Sequence, residues 1–374
     1  MLALMKMVID RQEFLEALGN VSRAVSAKAT NPALEGILLK VQQNRLCMSA
    51  YDLEIGMQTV IDAKADSEKS IILNAKLLLE IIRKLPDNVV ILECDDKLMV
   101  SIKSGDADFS LIAMDGSEYP EMPSIKDGAS IIIEQQLLKG MIRQTIYAVE
   151  SGLNSSRPVY TGSLFEFTED TIRIVSVDGC RLAMRVESVK CNESMSFIVP
   201  GKTLHEVIKL IRDEEKQMSI AIGSRHIIFE IDEYAVISRL IEGEFLDYNA
   251  AIPVSQTTVV TAKTRDLIDA TDRVSLMIND KLKSPVKYIF EENLLKISCN
   301  TTVGKAYDQI ECKQEGEKVE IGFNNKLLID AFRAAECDEV RLELNGSLSP
   351  VKILPLEGED FLFLVLPVRL KNDM

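Results

Sequence analysis

The feature that most constrains the fold of this chain is a helical segment that occurs three times. The segment reads AKLLLEIIRKLP at residues 75–86, GKTLHEVIKLIR at residues 201–212 and NKLLIDAFRAAE at residues 325–336. The lysines at the second position of the three copies are 126 and then 124 residues apart in a chain of 374 residues. Self-similarity at a fixed period indicates a repeat architecture, so the spacing predicts one module used three times.

Each copy also repeats one pattern of charge. A lysine is followed four positions later by an acidic residue, and three positions after that by a basic residue. Residues at offsets of four and seven share one face of an α-helix, while the leucines between them point elsewhere. The three sets are Lys76, Glu80 and Arg83; Lys202, Glu206 and Lys209; and Lys326, Asp330 and Arg333.

The repeat extends over the rest of each third. Every third opens with a short strand that runs into an amphipathic helix, and paired strands with alternating polarity follow around a polar turn. Each module is therefore expected to hold about two helices and six to eight strands. Acidic, proline-containing stretches close the first and second modules and are interpreted as linkers, which sets the module boundaries at 1–126, 127–253 and 254–374.

Composition excludes several classes of protein. Apolar residues make up 47% of the chain, but no run approaches the ~18 apolar residues that a membrane span needs. The apolar run before Lys6 is too short for a signal peptide, and seven scattered cysteines without a CxxC motif favour free thiols in a reducing cytoplasm. The net charge of −15 argues against a nucleic-acid partner, but net charge does not say where the cations lie.

Candidate chemistry is scarce. The two histidines, His205 and His226, are expected to pack rather than to act as general acids or bases. No P-loop spacing is present, and Asp106 and Asp108 fall in a turn between strands without an acidic partner motif. The sequence therefore predicts no catalytic residue, no metal site and no cofactor.

One segment of the second module is richer than its counterparts. VSVDGCRLAMRVE at residues 175–187 predicts a hairpin with its turn at Asp178 and Gly179. The first module keeps an aspartate at the corresponding turn, Asp52, but lacks the arginine that stands at Arg181. Such an addition to a repeated scaffold is where function is often placed, and a plain hairpin is the alternative.

Four segments carry a resemblance to a known family: RPVYTG at 157–162, VDGCRLA at 177–183, LIEGEFLDYNAAIP at 240–253 and LVLPVRL at 364–370. Together with TNPALEGILL and YDLEIGM in the first module, they resemble the bacterial DNA polymerase III beta subunits, the replicative sliding clamps. The resemblance covers the whole chain. It implies an α+β fold of three tandem clamp domains, each with two helices and antiparallel sheets, and a head-to-tail dimer that forms a six-domain ring.

The resemblance also implies a function. Clamps of this family are non-catalytic processivity factors of the DNA-directed DNA polymerase holoenzyme in the cytoplasm. The ring encircles double-stranded DNA without sequence specificity, and a peptide pocket tethers the polymerase alpha subunit, the clamp loader and other repair and replication proteins that carry clamp-binding motifs. No cofactor is implied. The acidic residues of the repeated helix would moderate the attraction between its lysines and DNA.

Residues are carried over from the family by position. The candidate DNA-binding residues are Lys28, Lys76, Arg143, Asn154, Lys202, Arg273 and Lys326. The candidate pocket residues are Arg157, Tyr160, Val177, Gly179, Cys180, Arg181, Leu182, Leu246, Leu364, Leu366, Pro367, Val368 and Arg369. The candidate dimer contacts are Phe109 and Leu111 against Met277 and Ile278. The chain departs from the commonest family pattern at Cys180, Leu246, Ala250 and Ala251, which puts the peptide preference of the pocket in question.

Two other functions stay open at this point. A polymerase or nuclease in its own right would need clustered carboxylates for two metal ions, which the sequence does not show. A tandem-repeat scaffold that never touches DNA would share the three modules but not the retention on circular DNA that a clamp requires.

Overall fold

The computed structural model describes residues 5–26, 28–126, 128–150, 152, 156–191, 193–212, 214–278 and 284–370. Two α-helices lie in each module of this described part, as the sequence predicts. They are α1 Arg11–Val21, α2 Ala75–Lys84, α3 Gln135–Thr145, α4 Gly201–Leu210, α5 Thr264–Ser275 and α6 Asn325–Ala335.

In the described part of the chain, the first and third modules hold ten and nine strands, slightly more than the six to eight expected, because of the short strands Lys64–Ala65, Met114–Asp115 and Lys313–Gly316, and the second module holds eight. The first module contains β1 Met5–Asp10, β2 Gly36–Gln42, β3 Arg45–Tyr51, β4 Ile55–Asp62, β5 Lys64–Ala65, β6 Lys69–Asn74, β7 Val89–Cys94, β8 Met99–Ser104, β9 Ala107–Ile112 and β10 Met114–Asp115. The second contains β11 Ala129–Glu134, β12 Gly162–Phe167, β13 Thr171–Val177, β14 Arg181–Ser188, β15 Met195–Pro200, β16 Gln217–Ile222, β17 His226–Ile231 and β18 Tyr234–Arg239. The third contains β19 Thr258–Lys263, β20 Val286–Glu291, β21 Leu294–Asn300, β22 Lys305–Glu311, β23 Lys313–Gly316, β24 Val319–Phe323, β25 Glu339–Leu344, β26 Val351–Leu354 and β27 Phe361–Val365.

Local signals explain where the repeated helix begins. Asn74 accepts a hydrogen bond from the Leu77 N–H at 3.0 Å, and Asn324 accepts one from the Lys326 N–H at 3.0 Å. An asparagine at the N-cap satisfies a backbone donor that has no partner within the helix. Helices α2 and α6 therefore start at equivalent positions, and their exposed lysines occupy the same place in the first turn.

Two of the predicted turns are also equivalent in conformation. Gln43 and Asn44 have φ angles of 50° and 62°, and Glu292 and Asn293 have φ angles of 54° and 63°. Two consecutive residues with positive φ make the type I′ turn that matches the twist of a two-residue hairpin. The first and third modules thus reverse the chain in the same way.

The chain divides into two compact units. Unit 1 comprises the described parts of residues 1–136 and 205–240, and unit 2 those of residues 137–204 and 241–374. Unit 1 holds a five-stranded sheet of order β5-β1-β7-β8-β9 and a nine-stranded sheet of order β10-β6-β2-β3-β4-β18-β17-β16-β11. Unit 2 holds a four-stranded sheet of order β22-β21-β20-β24 and a nine-stranded sheet of order β15-β12-β13-β14-β27-β26-β25-β19-β23.

Each nine-stranded sheet joins strands of two consecutive modules in one register. In unit 1, Gly56 of β4 lies opposite Ile237 of β18. In unit 2, Leu182 of β14 lies opposite Leu364 of β27. Both junctions run antiparallel over five residue pairs and end in the same backbone hydrogen bond, 2.9 Å from the Arg239 N–H to the Glu54 carbonyl and 2.9 Å from the Leu366 N–H to the Cys180 carbonyl.

Two of the strands that end a sheet stand at positions where the other modules have a strand-to-strand junction. Strand β9 of the first module is equivalent in the repeat to β18 of the second and β27 of the third. Strand β22 of the third module is equivalent to β4 of the first and β14 of the second. Each of these two strands has a single neighbour in its sheet. The main core of unit 2 packs Tyr288, Phe290 and Phe332 between the helices and the sheets, and Ala306 and Ile310 of β22 pack against it.

Candidate functional site

An apolar groove of about 430 Å³ opens on the nine-stranded sheet of unit 2. Eight of the predicted pocket residues line it: Tyr160, Val177, Gly179, Arg181, Leu182, Leu246, Leu364 and Leu366. Ala251, noted above as a departure from the family pattern, also lines the groove, and so does Pro350, which sequence reasoning missed. Pro350 precedes β26 in a turn whose sequence does not resemble any of the quoted motifs.

The floor of the groove is a cross-strand row. Val177, Leu182 and Leu364 lie directly opposite one another on β13, β14 and β27, and all three are buried. Side chains that face each other across antiparallel strands pack within van der Waals reach, so three neighbouring strands build a continuous apolar surface. Leu246 and Leu366 flank this floor and remain about two-fifths exposed.

Aromatic residues form one wall. The Tyr160 and Phe245 rings meet edge to face at 5.9 Å, and the Arg157 guanidinium lies 5.5 Å from the centre of the Tyr160 ring. Arg157 also donates to the Tyr160 hydroxyl at 3.3 Å. Arg157 therefore contacts the wall at Tyr160 and is not among the residues that line the groove.

The stretch interpreted as the second linker is packed onto this sheet. Tyr248 is buried, and its hydroxyl accepts a hydrogen bond from Arg173 at 2.9 Å and donates one to Glu166. Burial raises the pKa of Tyr248, so the hydroxyl keeps its proton for the bond to Glu166. This anchor holds Ala251, three residues on, at the groove.

Among the described residues that line the groove, Arg181 alone carries a charge. Its Nε lies 2.8 Å from Asp178 Oδ2 and its Nη1 lies 2.7 Å from Asp330 Oδ2, while its Cζ stands 5.1 Å from the centre of the Tyr147 ring. Asp178 also accepts the backbone N–H groups of Cys180 and Arg181. Gly179 has a φ of +85° in this turn, a conformation that glycine adopts without steric strain.

The other predicted pocket residues lie beside the groove. Cys180 is exposed at the turn, and its carbonyl accepts the Leu366 N–H. Pro367, Val368 and Arg369 continue past the groove, where the Val368 N–H donates to the Gly322 carbonyl at 2.8 Å.

Gly322 explains how closely this tail is held. A Cβ atom at Gly322 would lie 2.7 Å from the Val368 carbonyl oxygen and 2.7 Å from Leu370 Cδ2, closer than real Cβ atoms approach their neighbours. We expect Gly322→Ala to lift the tail, because overpacking of this kind costs about 1–3 kcal/mol. Hydrogen exchange of the Val368 amide should then accelerate by about tenfold or more.

Gly19→Ala in α1 is the matched control, because its Cβ would meet nothing within 4 Å. Unchanged exchange at Val368 in Gly322→Ala would show that the tail is not fixed by this close approach.

The lysines of the repeated helix are all exposed. Lys76, Lys202 and Lys326 are the second residues of α2, α4 and α6, and Lys28 is exposed after α1. Arg143 and Arg273 are also exposed but form ion pairs, Arg143 with Glu336 at 2.5 Å and Arg273 with Asp308 at 2.7 Å. Asn154 lies outside the described residues.

Two acidic residues of the repeated helix, Glu206 and Asp330, form ion pairs within the chain. The Glu206 side chain is mostly buried and pairs with Arg23 at 3.7 Å and with Lys209 at 2.7 Å. Asp330 pairs with Arg181. Both carboxylates are therefore paired with arginines of other elements, Glu206 with Arg23 and Asp330 with Arg181.

The predicted dimer residues lie on or near two edge strands, β9 and β22. Phe109 and Leu111 are on β9, and Met277 and Ile278 follow α5, whose residues pack on β22. Further exposed apolar residues that sequence reasoning missed accompany them: Ile112, Leu276, Val303 and Tyr307. Strand alternation alone did not single them out, because exposure at an edge depends on which strand lacks a neighbour.

The expectation for one histidine was wrong. His205 is exposed on α4 rather than packed, whereas the corresponding Ile329 on α6 is buried, because the two helices have different surroundings. Burial of the ring lowers the pKa of His226, which is half-buried on β17. In the described part of the chain, no three His, Cys, Asp or Glu side chains are grouped to hold a metal ion, and no helix is long and apolar enough to cross a membrane.

Comparison with known proteins defines the class first. Family models for the N-terminal, central and C-terminal domains of the DNA polymerase III beta subunit match residues 5–123, 132–247 and 249–369. The chain is thus a three-domain clamp. It belongs to the DNA polymerase III beta subunit family, the sliding clamps, which are non-catalytic processivity subunits of that polymerase.

Individual relatives agree over their full length. The beta sliding clamp of Bacillus subtilis is 30% identical over 98% of this chain and 100% of the relative. The solved sliding clamp from Bacillus subtilis has a TM-score of 0.95 at 29% identity, covering 99% of this chain and 100% of that one. The solved Pseudomonas aeruginosa clamp bound to griselimycin has a TM-score of 0.92 at 26% identity, covering 98% and 100%.

Proposed function

We propose that two copies of this chain join head to tail into a ring that encircles duplex DNA and tethers the replicative polymerase through the groove of unit 2. The modules 1–126, 127–253 and 254–374 act as its clamp domains. The observation that carries the proposal is the shared register of the two intrachain junctions. In the described part of the chain, β9 and β22 lack the partner strand from another module that the corresponding strands have.

The repeat predicts how those edges meet. If β9 pairs with β22 of a second copy as β18 pairs with β4, Phe109 lies opposite Ala306, and Ile112 donates its N–H to the Val303 carbonyl. Ile112 and Val303 are 80% and 73% exposed in the single chain. Long exposed edges with apolar residues invite strand addition, and a partner strand would cover both side chains.

The same register brings the other predicted contacts together. Leu111 falls opposite Gly304, and a Cβ at Gly304 would be 3.5 Å from Met277 Sδ. The apolar contact of Leu111 with Met277 and Ile278 therefore follows from strand pairing. Each dimer would contain two such junctions, because a head-to-tail contact repeats until it closes.

The repeated lysines would supply the contact with DNA. Their exposed ammonium groups offer phosphate contacts that carry no sequence information, which suits a ring that must slide. We expect the variant Lys76→Ala, Lys202→Ala, Lys326→Ala to lower the slope of log affinity against log salt for duplex DNA by about 5, since each neutralised phosphate contributes about 0.9 and the dimer loses six lysines.

Lys64→Ala, Lys97→Ala, Lys313→Ala is the matched control, because these lysines are also exposed but lie outside the repeated helix. Fluorescence anisotropy across a salt series measures both slopes. An equal change of the salt slope in the two variants would show that the lysines of the repeated helix do not contact DNA specifically.

The groove would receive short peptide segments with apolar anchors. Its floor is apolar, and Arg181 can hold a peptide carbonyl or carboxylate, a combination typical of linear-motif sites. The polymerase alpha subunit, the clamp loader and other replication and repair proteins would compete for it. Leu246 and Ala251 shape the rim, so peptide preference should follow these two positions. Seven free cysteines agree with work in the reducing cytoplasm.

Retention on DNA tests the whole proposal. The purified protein should have a native mass of twice 41.7 kDa, stay on a nicked circular plasmid after loading, and leave when the circle is cut. A scaffold that never touches DNA would not stay on the circle. Magnesium-dependent synthesis or cleavage of DNA by the purified protein would instead show that the chain is itself a polymerase or nuclease.

A further inference from the structure

We propose that Asp330 on helix α6 is a positioning residue of the groove, which fixes the Arg181 guanidinium so that one edge of it faces the bound peptide. The inference rests on the proposed function of the groove as a peptide site. It assigns to the repeated helix a second task beside the one its lysines serve, and it makes an acidic residue outside the lining a determinant of what the groove selects.

Three groups hold Arg181 in place. Asp178 takes Nε at 2.8 Å, Asp330 takes Nη1 at 2.7 Å, and the Tyr147 ring lies under the guanidinium plane with its centre 5.1 Å from Cζ. Tyr147 is itself fixed by an edge-to-face contact with Phe363 at 5.6 Å. The Arg181 side chain is only 12% exposed, so its orientation is set by these neighbours rather than by solvent.

The arrangement leaves one end of the guanidinium for a ligand. Arginine has five N–H donors in a planar fork. Nε and Nη1 are taken by the two carboxylates, whereas in the described part of the chain no acceptor is paired with Nη2. A carbonyl or carboxylate of a bound peptide can accept from Nη2 without displacing either aspartate. The two negative charges around one positive charge favour a neutral carbonyl over a carboxylate at that position.

The first module shows which part of this arrangement is added. Asp52 accepts the backbone N–H groups of Glu54 and Ile55 at 3.0 and 2.8 Å, just as Asp178 accepts those of Cys180 and Arg181. Ile55 stands where the second module has Arg181. The turn is thus common to both modules, and the arginine is not.

The acidic position of the repeated helix has been adapted in parallel. Glu206 on α4 corresponds to Asp330, but it pairs with Arg23 in unit 1 and lines no part of the groove. In unit 2 the shorter aspartate reaches Arg181 instead. One helix position therefore serves packing in one unit and peptide selection in the other.

The test compares Asp330→Asn and Asp330→Ala with Glu206→Gln in the full-length dimer. The probe is the fluorescent peptide of the polymerase alpha subunit that the wild-type protein binds most tightly. We expect Asp330→Ala to weaken binding about tenfold and Asp330→Asn about threefold, because the amide oxygen still accepts from Nη1 but without charge assistance. Glu206→Gln should bind as the wild type does.

A double-mutant cycle separates positioning from general stability. In an Arg181→Met background, Asp330→Asn should have no further effect on peptide binding, since its partner is gone. Equal losses with and without Arg181, or wild-type binding by both Asp330 variants, would overturn the inference. Failure of the wild-type dimer to bind any alpha-subunit peptide would instead count against the proposed function of the groove.

Discussion

The Ile112→Asp variant should elute as a 41.7 kDa monomer and fail to stay on circular DNA. Ile112 is 80% exposed in the single chain, so the carboxylate stays solvated in the monomer. Pairing with Val303 of a second copy would bury that charge, at about 2 kcal/mol or more for each junction. A closed dimer has two junctions, so the dissociation constant of the dimer should rise by roughly a thousandfold. Size-exclusion chromatography shows the mass, and sedimentation velocity measures the dissociation constant.

Ile132→Asp is the matched control. Ile132 is 64% exposed on β11, which is also an edge strand of its sheet, but the repeat assigns no partner to that edge. This variant should remain dimeric. If Ile132→Asp were monomeric, a charge at any edge strand would disrupt assembly. If Ile112→Asp were dimeric, a charge at this edge would not disrupt it. Either result would show that the proposed register is wrong.

The second large effect concerns the groove. Leu366→Asp should weaken binding of the alpha-subunit peptide by roughly 30- to 100-fold and shorten the products of processive synthesis accordingly. Leu366 flanks the floor made by Leu182 and Leu364, so a carboxylate there removes apolar contact and lies where the ligand excludes water, at about 2–3 kcal/mol. Fluorescence anisotropy and primer extension on a primed circle measure the two effects.

Leu356→Asp controls for the substitution itself. Leu356 and Leu366 are both 43% exposed, but only Leu366 lines the groove. Both variants should stay dimeric and hold DNA, because neither residue lies on β9 or β22. Tight peptide binding by Leu366→Asp would move the binding site away from this groove.

Much of the fold followed from the sequence because the signals were local and repeated. The three charged helices, their strands and the turn at Gln43 and Asn44 depend on spacing and on residue preferences within a few positions. The apolar lining of the groove was reached through segment resemblance, since Val177, Leu182 and Leu364 come from distant parts of the chain. Their alignment in one cross-strand row is a property of strand register, which no single segment contains.

What the sequence withheld depends on three-dimensional neighbours. His205 and Ile329 occupy the same position of the repeat, yet one is exposed and the other buried, because the surroundings of α4 and α6 differ. Asp330 carried the same pattern as Glu80 and Glu206, and nothing in that pattern indicated Arg181 as its partner. The repeat in the sequence therefore does not predict which residues distant in the chain form pairs.

The two open edges have a consequence for growth as well as for closure. A contact between β9 of one copy and β22 of the next is heterologous, so the same hydrogen bonds can either close after two copies or continue into an open fibre. Affinity at the edge does not decide between these outcomes; the rotation that relates one copy to the next does. A substitution in the interior that alters this rotation would leave both edge strands able to pair and would turn a finite assembly into filaments. Fibres in an electron micrograph would therefore indicate a changed rotation between copies rather than a loss of strand pairing.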